Sequence, residues 1–122
     1  MRVLIVDDSR FIREHLRQWL ERMEVSCAEA KDGTEALEVL RGGEAFDCML
    51  LDVNMPKMSG LECVKALRQA RLQPGMKVMM VTTEEDHALI ARALENGADE
   101  FLMKPFTPES LRDKLRIMEL AA

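Results

Sequence analysis

The chain has 122 residues, of which 48% are hydrophobic and 32% charged, a balance typical of one globular domain with its own core. Seventeen Lys and Arg against 22 Asp and Glu give a net charge of −5 without a basic stripe, which argues against direct DNA binding. No apolar run approaches the ~18 residues of a membrane span, and no signal-peptide segment is recognisable. We therefore expect a cytoplasmic protein with no membrane contact.

Strand and helix patterns alternate through the first half of the chain. The apolar run 3–6 predicts a strand, and residues 26–30 predict a shorter strand at a sheet edge. Asp32 and Gly33 open a second helix, which Gly42 and Gly43 end. The first helix is predicted from an apolar stripe in which Trp19 is expected in the core: Ile12, Leu16, Trp19, Leu20 and Met23.

The second half repeats the alternation three times. Apolar runs 48–51, 78–81 and 101–103 predict strands. Ser59 to Glu62 is a capping box for a third helix, and Thr83 with the acids at 84–86 starts a fourth, which Asn96 and Gly97 close. Thr107 and Pro108 start a fifth helix, whose inner stripe is Leu111, Leu115 and Met118.

Five βα units predict an α/β fold, a doubly wound (βα)5 three-layer sandwich around a flavodoxin-like parallel sheet of order 2-1-3-4-5. Right-handed crossovers place helices on both faces of that sheet. Cys27, Cys48 and Cys63 lack the spacing of a metal or redox site, so we expect reduced thiols in or near the core.

Polar residues follow the predicted strands where each strand ends. Asp7 and Asp8 follow the first strand, Asp52 the third, Thr82 the fourth and Lys104 the fifth. In open α/β sheets ligands bind beyond these carboxyl ends, and strands one and three are neighbours. Three converging carboxylates repel one another, and this repulsion must be offset by a cation or by raised pKa values. A divalent ion that prefers oxygen ligands, such as Mg²⁺, is the natural answer. The alternative is that Asp8 or Ser9 merely caps the first helix.

A carboxylate beside Mg²⁺, with a lysine and a hydroxyl nearby, is what aspartyl-phosphate chemistry requires. Asp52 is the better nucleophile because it ends the central strand, which leaves the metal mainly to Asp8, with Asp7 helping through water. Taken singly, Lys104 is equally consistent with a solvated lysine and Thr82 with an ordinary helix-entry hydroxyl.

Three rival functions use related features. An FMN module needs a Ser/Thr/Gly-rich phosphate loop where this chain has Asp7 to Arg10. A metal-dependent phosphatase with an Asp nucleophile needs a second carboxylate two residues later, where Asn54 stands. An interaction module that has lost the chemistry would keep the fold, and the full set of acids with Lys104 argues against it.

Several motifs together resemble the response-regulator receiver domain, specifically its stand-alone chemotaxis (CheY-like) type. They occur in that family's order and spacing over essentially the whole chain: residues 6–9, Asp32 with Gly33, residues 51–60, Val81 with Thr82, and residues 104–106. The resemblance implies a single receiver domain over 1–122 without an output domain. It implies a two-component signalling protein that catalyses its own phosphorylation and dephosphorylation and is not a classical enzyme.

The resemblance also implies roles for the strand-end residues. Asp52 would accept a phosphoryl group from the phosphohistidine of a sensor histidine kinase or phosphotransfer protein. Mg²⁺, or Mn²⁺ in its place, would be held by Asp8, Asp52 and the backbone carbonyl of Asn54, with Asp7 acting through water. Lys104 would pair with the phosphoryl oxygens, and the bond from Lys104 to Pro105 is expected to be cis.

Further positions correspond to the family's switch and lifetime residues. Thr82 matches the family's switch hydroxyl, and Phe101 matches its switch aromatic. Chemotaxis members often have Tyr at the position of Phe101, so Phe101 offers no hydroxyl to a partner. The alternative for Phe101 is a plain strand residue packed in the core. Asn54 and Glu84 would tune hydrolysis toward a short-lived phospho-form. The readout surface, helix four (86–96) with 101–120, would bind a downstream protein in trans, a second copy of the chain being one candidate.

Overall fold

A computed structural model of the protein describes residues 1–55, 57–83 and 87–118. Strands and helices alternate through these residues as five βα units, as predicted. Their bounds are β1 (Arg2–Val6), α1 (Arg10–Arg22), β2 (Ser26–Ala30), α2 (Gly33–Arg41), β3 (Cys48–Asp52), α3 (Gly60–Gln69), β4 (Lys77–Thr82), α4 (His87–Glu95), β5 (Glu100–Met103) and α5 (Pro108–Ile117). No helix in these described ranges is long and apolar enough to cross a membrane.

The five strands form one parallel sheet in the order β2-β1-β3-β4-β5, which confirms the predicted topology. β1 and β3 are neighbours, with Val6 level with Leu51. β3 in turn pairs with β4, where Asp52 is level with Val81. From β1 the chain adds β2 on one side and then β3, β4 and β5 on the other, so the strand order reverses between β1 and β3. Doubly wound sheets bind ligands at this point of reversal.

The sheet separates two apolar layers, because successive side chains of a strand point to opposite faces. α1 and α5 cover one face through Leu16, Leu20, Leu111 and Leu115. On the other face α2, α3 and α4 bury a larger cluster, which includes Leu37, Leu40, Val64, Leu67 and Ala93. Both layers use neighbouring residues of the same strands, so the central strands are buried on both sides, as in other doubly wound sheets.

Side-chain caps fix where the helices begin. Ser9, rather than Asp8, caps α1 by accepting from the Ile12 N–H. The predicted capping box at α3 is present, and Asp32 and Thr107 are the N-caps of α2 and α5, as expected. In α4 the predicted start at Glu84, Glu85 and Asp86 lies outside the described residues, as does the end of the chain at 119–122.

The three cysteines and Trp19 had been predicted in or near the core. Cys27, Cys48 and Cys63 are free and buried, so the expectation of reduced core thiols is confirmed. Trp19 packs against the core on the α1 face, as its place in the stripe predicted, but its side chain is only partly buried. It lies at the rim of the α1 stripe, edge-on to Phe106 with ring centroids 5.6 Å apart, where the connection after β5 covers it only in part.

Candidate functional site

The ends of β1 and β3 bring three carboxylates together. Asp7 directly follows β1 and Asp52 ends β3, and the register of the two strands places these residues side by side. One carboxylate oxygen from each of Asp7, Asp8 and Asp52 lies within 4.8 Å of the other two. Asp7 and Asp52 are buried, whereas Asp8 is exposed. The cluster therefore has a closed floor and one side open to solvent.

Lys104 supplies a positive charge at this cluster. Its Nζ lies 3.4 Å from Asp52 Oδ1 and 3.8 Å from Asp7 Oδ2. The backbone holds the lysine at the strand ends, because the Lys104 N–H donates to the Thr82 carbonyl at 2.6 Å. The peptide bond from Lys104 to Pro105 is cis. With three carboxylates and one ammonium group, the cluster retains excess negative charge.

Burial and like charge act on both enclosed carboxyls. Burial, reinforced by the neighbouring Asp7, raises the pKa of Asp52 to about 6, although Lys104 and the Asn54 N–H, 3.4 Å from Asp52 Oδ1, act in the opposite direction. Burial also raises the pKa of Asp7, against the Ser9 N–H, which donates to Asp7 Oδ1 at 2.8 Å, and Lys104. Both groups are thus more readily neutralised than ordinary carboxyls.

The donors at this cluster fit Mg²⁺. All of them are oxygen atoms, their charge is incompletely balanced by Lys104, and the exposed side at Asp8 leaves room for water and phosphate oxygens. Asn54 lies exposed in the connection after β3, two residues beyond Asp52. Its carbonyl is the additional ligand that the sequence resemblance implies.

The predicted switch residues lie on the two neighbouring strands. Thr82 ends β4 with its side chain buried, and its Oγ1 donates to the Thr83 carbonyl at 3.3 Å. Phe101 is half-buried on β5, level with Met80, and the Lys114 Nζ lies 4.5 Å from its ring centroid. Glu84, the second residue expected to tune hydrolysis, lies outside the described residues.

Two open grooves flank the strand ends. One, of about 430 Å³, adjoins Lys104 and is lined by Phe11, Ile12, His15, Trp19 and Phe106. Phe11 is exposed there although it is a large apolar side chain. The other groove, of about 510 Å³, lies between α4 and β5 and is lined by His87, Ile90, Ala91, Leu94, Phe101 and Met103.

The sequence reasoning missed the steric role of Gly60. A Cβ at this position would lie 2.5 Å from the Asp52 carbonyl oxygen and 2.9 Å from the Val53 Cα. The Gly60 N–H donates to the Val53 carbonyl at 2.9 Å, which packs the start of α3 against the end of β3. The glycine was recognised as part of a capping box, but its close approach to the Asp52 backbone depends on the three-dimensional packing.

Arg13 is a second residue that the sequence reasoning missed. Its Nη1 donates to the Asp7 carbonyl at 2.6 Å, and its Nε donates to Glu29 at 3.0 Å. Neither partner is recognisable in the sequence, because Glu29 lies on β2 and the carbonyl is a backbone group.

Comparison with known proteins agrees with this fold and site. The family model for the response regulator receiver domain matches residues 3–116, and the chain therefore belongs to that family. It is 39% identical over 116 residues to a chemotaxis protein CheY homolog of Campylobacter jejuni, covering 94% of this chain and 89% of the relative. CheY1 of Helicobacter pylori is 35% identical over 119 residues, with 97% and 96% covered.

A solved structure extends the similarity to three dimensions. The chemotaxis protein CheY4 of Vibrio cholerae superposes with a TM-score of 0.87 at 37% identity, covering 95% of this chain and 96% of that one. The chain is thus a CheY-like receiver of two-component signalling, a phosphoacceptor class of domain rather than a classical enzyme. Membership of this family argues against the FMN-binding and phosphatase alternatives.

Proposed function

We propose that this receiver accepts a phosphoryl group on Asp52 from the phosphohistidine of a sensor histidine kinase or a phosphotransfer protein. The observation that carries the proposal is the convergence of three carboxylates within 4.8 Å, with the Lys104 Nζ 3.4 Å from Asp52. Nucleophile, charge-neutralising lysine and cation ligands are the components that phosphoryl transfer to a carboxylate requires.

In the proposed reaction an Asp52 carboxylate oxygen attacks phosphorus opposite the imidazole nitrogen. The P–O bond forms as the P–N bond breaks, and the electron pair of that bond leaves with the imidazole. Mg²⁺ held by Asp8, Asp52 and the Asn54 carbonyl, with Asp7 acting through water, would supply positive charge to the phosphoryl oxygens. With a pKa of about 6, Asp52 is mostly ionised at neutral pH and can act as the nucleophile.

Lys104 assists at both ends of this reaction. Before transfer its ammonium group favours the ionised form of Asp52. After transfer the same group can pair with a phosphoryl oxygen, because it already lies beside the carboxylate that carries the phosphoryl group. Hydrolysis by water would then break the new P–O bond and release inorganic phosphate, with Asn54 and Glu84 tuning the rate toward a short-lived phospho-form.

Phosphorylation of Asp52 would be transmitted to β4 and β5 through the Thr82 hydroxyl. A dianionic acceptor on Asp52 is stronger than the Thr83 carbonyl, to which the hydroxyl donates here, so the Thr82 hydroxyl would turn toward it. The end of β4 would move with this hydroxyl and bias the position of Phe101 on the adjacent strand. The groove between α4 and β5 would then change shape for a downstream partner, a second copy of the chain being one candidate.

The groove beside Lys104 supports docking of the phosphodonor. Its exposed Phe11 and half-buried Phe106 lie next to the lysine that would face the incoming phosphoryl group. A donor protein bound there would therefore present its phosphohistidine close to Asp52. We propose that the receiver, once phosphorylated, acts by binding a downstream protein in trans.

The test is intact mass spectrometry after incubation with acetyl phosphate. Wild type with Mg²⁺ is expected to gain one phosphoryl group, whereas wild type in EDTA and Asp52→Ala with Mg²⁺ are expected to gain none. The decay of the adduct after donor removal measures the lifetime. If no adduct forms with acetyl phosphate or with a phosphohistidine donor, the proposal is wrong and a phosphorylation-independent binding module is favoured.

A further inference from the structure

A chain of ion pairs runs from β2 to the carboxylate cluster. On one side of Glu29, Arg17 Nε donates to Oε2 at 2.7 Å, and on the other Arg13 Nε donates to Oε1 at 3.0 Å. Arg13 continues to the site, because its Nη1 donates to the Asp7 carbonyl at 2.6 Å. The ion pairs on the edge strand thus end on the backbone of the loop that carries Asp7 and Asp8.

The Arg13 contact completes the hydrogen bonding of Asp7. The Asp7 N–H donates to the Ala30 carbonyl at 3.2 Å, and Asp7 Oδ1 accepts from the Ser9 N–H at 2.8 Å. The Asp7 carbonyl belongs to the same planar peptide group as the Asp8 N–H. Fixing that carbonyl therefore restricts the orientation of the backbone from which the Asp8 side chain projects.

An arginine suits this position for a geometric reason. Its planar guanidinium directs Nε and Nη1 to two different acceptors at once, whereas a lysine ammonium is a point donor on a flexible stem. The Arg13 side chain is only 15% exposed, so it is enclosed between α1 and β2. Arg17, one turn along the same helix, binds the same carboxylate without a contact to Asp7 among the described hydrogen bonds.

We propose that Arg13 is a positioning residue for the divalent cation site. It holds the peptide group between Asp7 and Asp8 so that the exposed Asp8 carboxylate stays within 4.8 Å of Asp52 before a cation binds. This inference rests on the proposed Mg²⁺ binding. Residues that orient metal ligands commonly change metal affinity about tenfold or more when they are replaced.

Charge and geometry predict opposite effects when Arg13 is replaced. Removing a positive charge near the site would strengthen Mg²⁺ binding, whereas freeing the Asp7 carbonyl would weaken it. Arg17→Met is the matched control, because it removes the same charge from the same Glu29 cluster and leaves the Asp7 carbonyl bonded to Arg13. High salt reduces the remaining charge effect, since at about 1 M ionic strength screening acts over about 3 Å.

The experiment is an NMR titration of the ¹⁵N-labelled protein with MgCl₂ in KCl near that strength, following backbone amide shifts. Arg13→Met is expected to raise the Mg²⁺ Kd about tenfold. Arg17→Met is expected to change it by less than about twofold. Arg13→Lys keeps the positive charge but loses the planar guanidinium that reaches two acceptors at once. It is expected to raise the Kd by roughly threefold.

The possible outcomes separate this inference from the proposed function. Wild type that binds no Mg²⁺ would contradict both. Wild type that binds Mg²⁺, with Arg13→Met and Arg17→Met giving the same Kd, would overturn the positioning role alone. The dispersion of each amide spectrum reports whether the variant is folded, and if Arg13→Met does not fold, the comparison of Arg13→Lys with wild type decides.

Discussion

Two charged clusters lie on either side of the loop that follows β1, and their charges are balanced in opposite ways. In the first, Glu29 lies between two guanidinium groups at 2.7 and 3.0 Å. In the second, three carboxylates lie together, and the ammonium group of Lys104 is 3.4 Å from Asp52 Oδ1 and 3.8 Å from Asp7 Oδ2. The first cluster has two positive charges on one carboxylate, and the second has an excess of negative charge.

The difference sets the Glu29 cluster apart from the cluster that we propose as the functional site. In the Glu29 cluster each guanidinium group is paired with the carboxylate, and all three side chains remain partly exposed to solvent. At the site, burial and neighbouring charge raise the pKa of Asp52 to about 6, so its ionised form costs folding free energy. The fold holds the carboxylates together against their repulsion, as the proposed binding of a cation and a phosphoryl group requires.

The largest expected effect comes from a steric clash at the backbone of Asp52, one of the three clustered carboxylates. Gly60→Ala places a Cβ 2.5 Å from the Asp52 carbonyl oxygen, so α3 or the end of β3 must shift. We expect the free energy of unfolding to fall by about 3 kcal/mol or more in urea denaturation. Gly75→Ala is the control, since a Cβ there meets nothing within 4 Å. Equal stability of the two variants would show that the contact at Gly60 is not rigid.

The next effect is a gain in stability, whereas most substitutions of a buried residue lower the free energy of unfolding. Because the pKa of Asp52 is raised to about 6, the folded protein binds more protons than the unfolded chain between about pH 4 and 6, so stability falls as the pH rises through that window. Asp52→Asn removes the charge and should raise the free energy of unfolding by about 2 kcal/mol at pH 7, part of the gain being offset by the lost contact with Lys104.

Urea denaturation in EDTA at pH 7 and at pH 4 measures this effect. The gain from Asp52→Asn should shrink toward zero at pH 4, because the Asp52 carboxyl of the folded wild type is then already protonated. A variant that is less stable than wild type at pH 7 would contradict the view that the carboxylate cluster is strained by its charge.

The smallest effect tests the Glu29 cluster. Glu29→Gln leaves two partly buried guanidinium groups without their shared carboxylate, and we expect a loss of about 1 kcal/mol in the free energy of unfolding. Glu14→Gln is the control, because the pair of Glu14 with Arg10 is largely exposed and should contribute less than about 0.5 kcal/mol. If Glu29→Gln stabilises the protein, the contrast between the two clusters fails.

Much of the site was predictable because strand ends are marked in the sequence. Asp7, Asp8, Asp52 and Lys104 each follow an apolar run, and parallel strands place their carboxyl ends at one edge, so their convergence followed from the sheet order alone. Trp19 packs against the core as predicted but is only partly buried, because helical spacing gives the direction of a side chain but not how far a neighbouring loop covers it.

The sequence by itself determined the alternation of five strands and five helices, three of the capping residues and the set of carboxylates, because these depend on hydrophobic period and local hydrogen bonding. The sheet order was predicted from the doubly wound fold class that this alternation indicates. Only the tertiary structure decided the steric need for Gly60 and the contact from Arg13 to the Asp7 carbonyl. It also decided the raised pKa of Asp52. These features depend on atoms from different chain segments meeting at distances of a few ångströms, and the order of residues along a chain does not specify those distances.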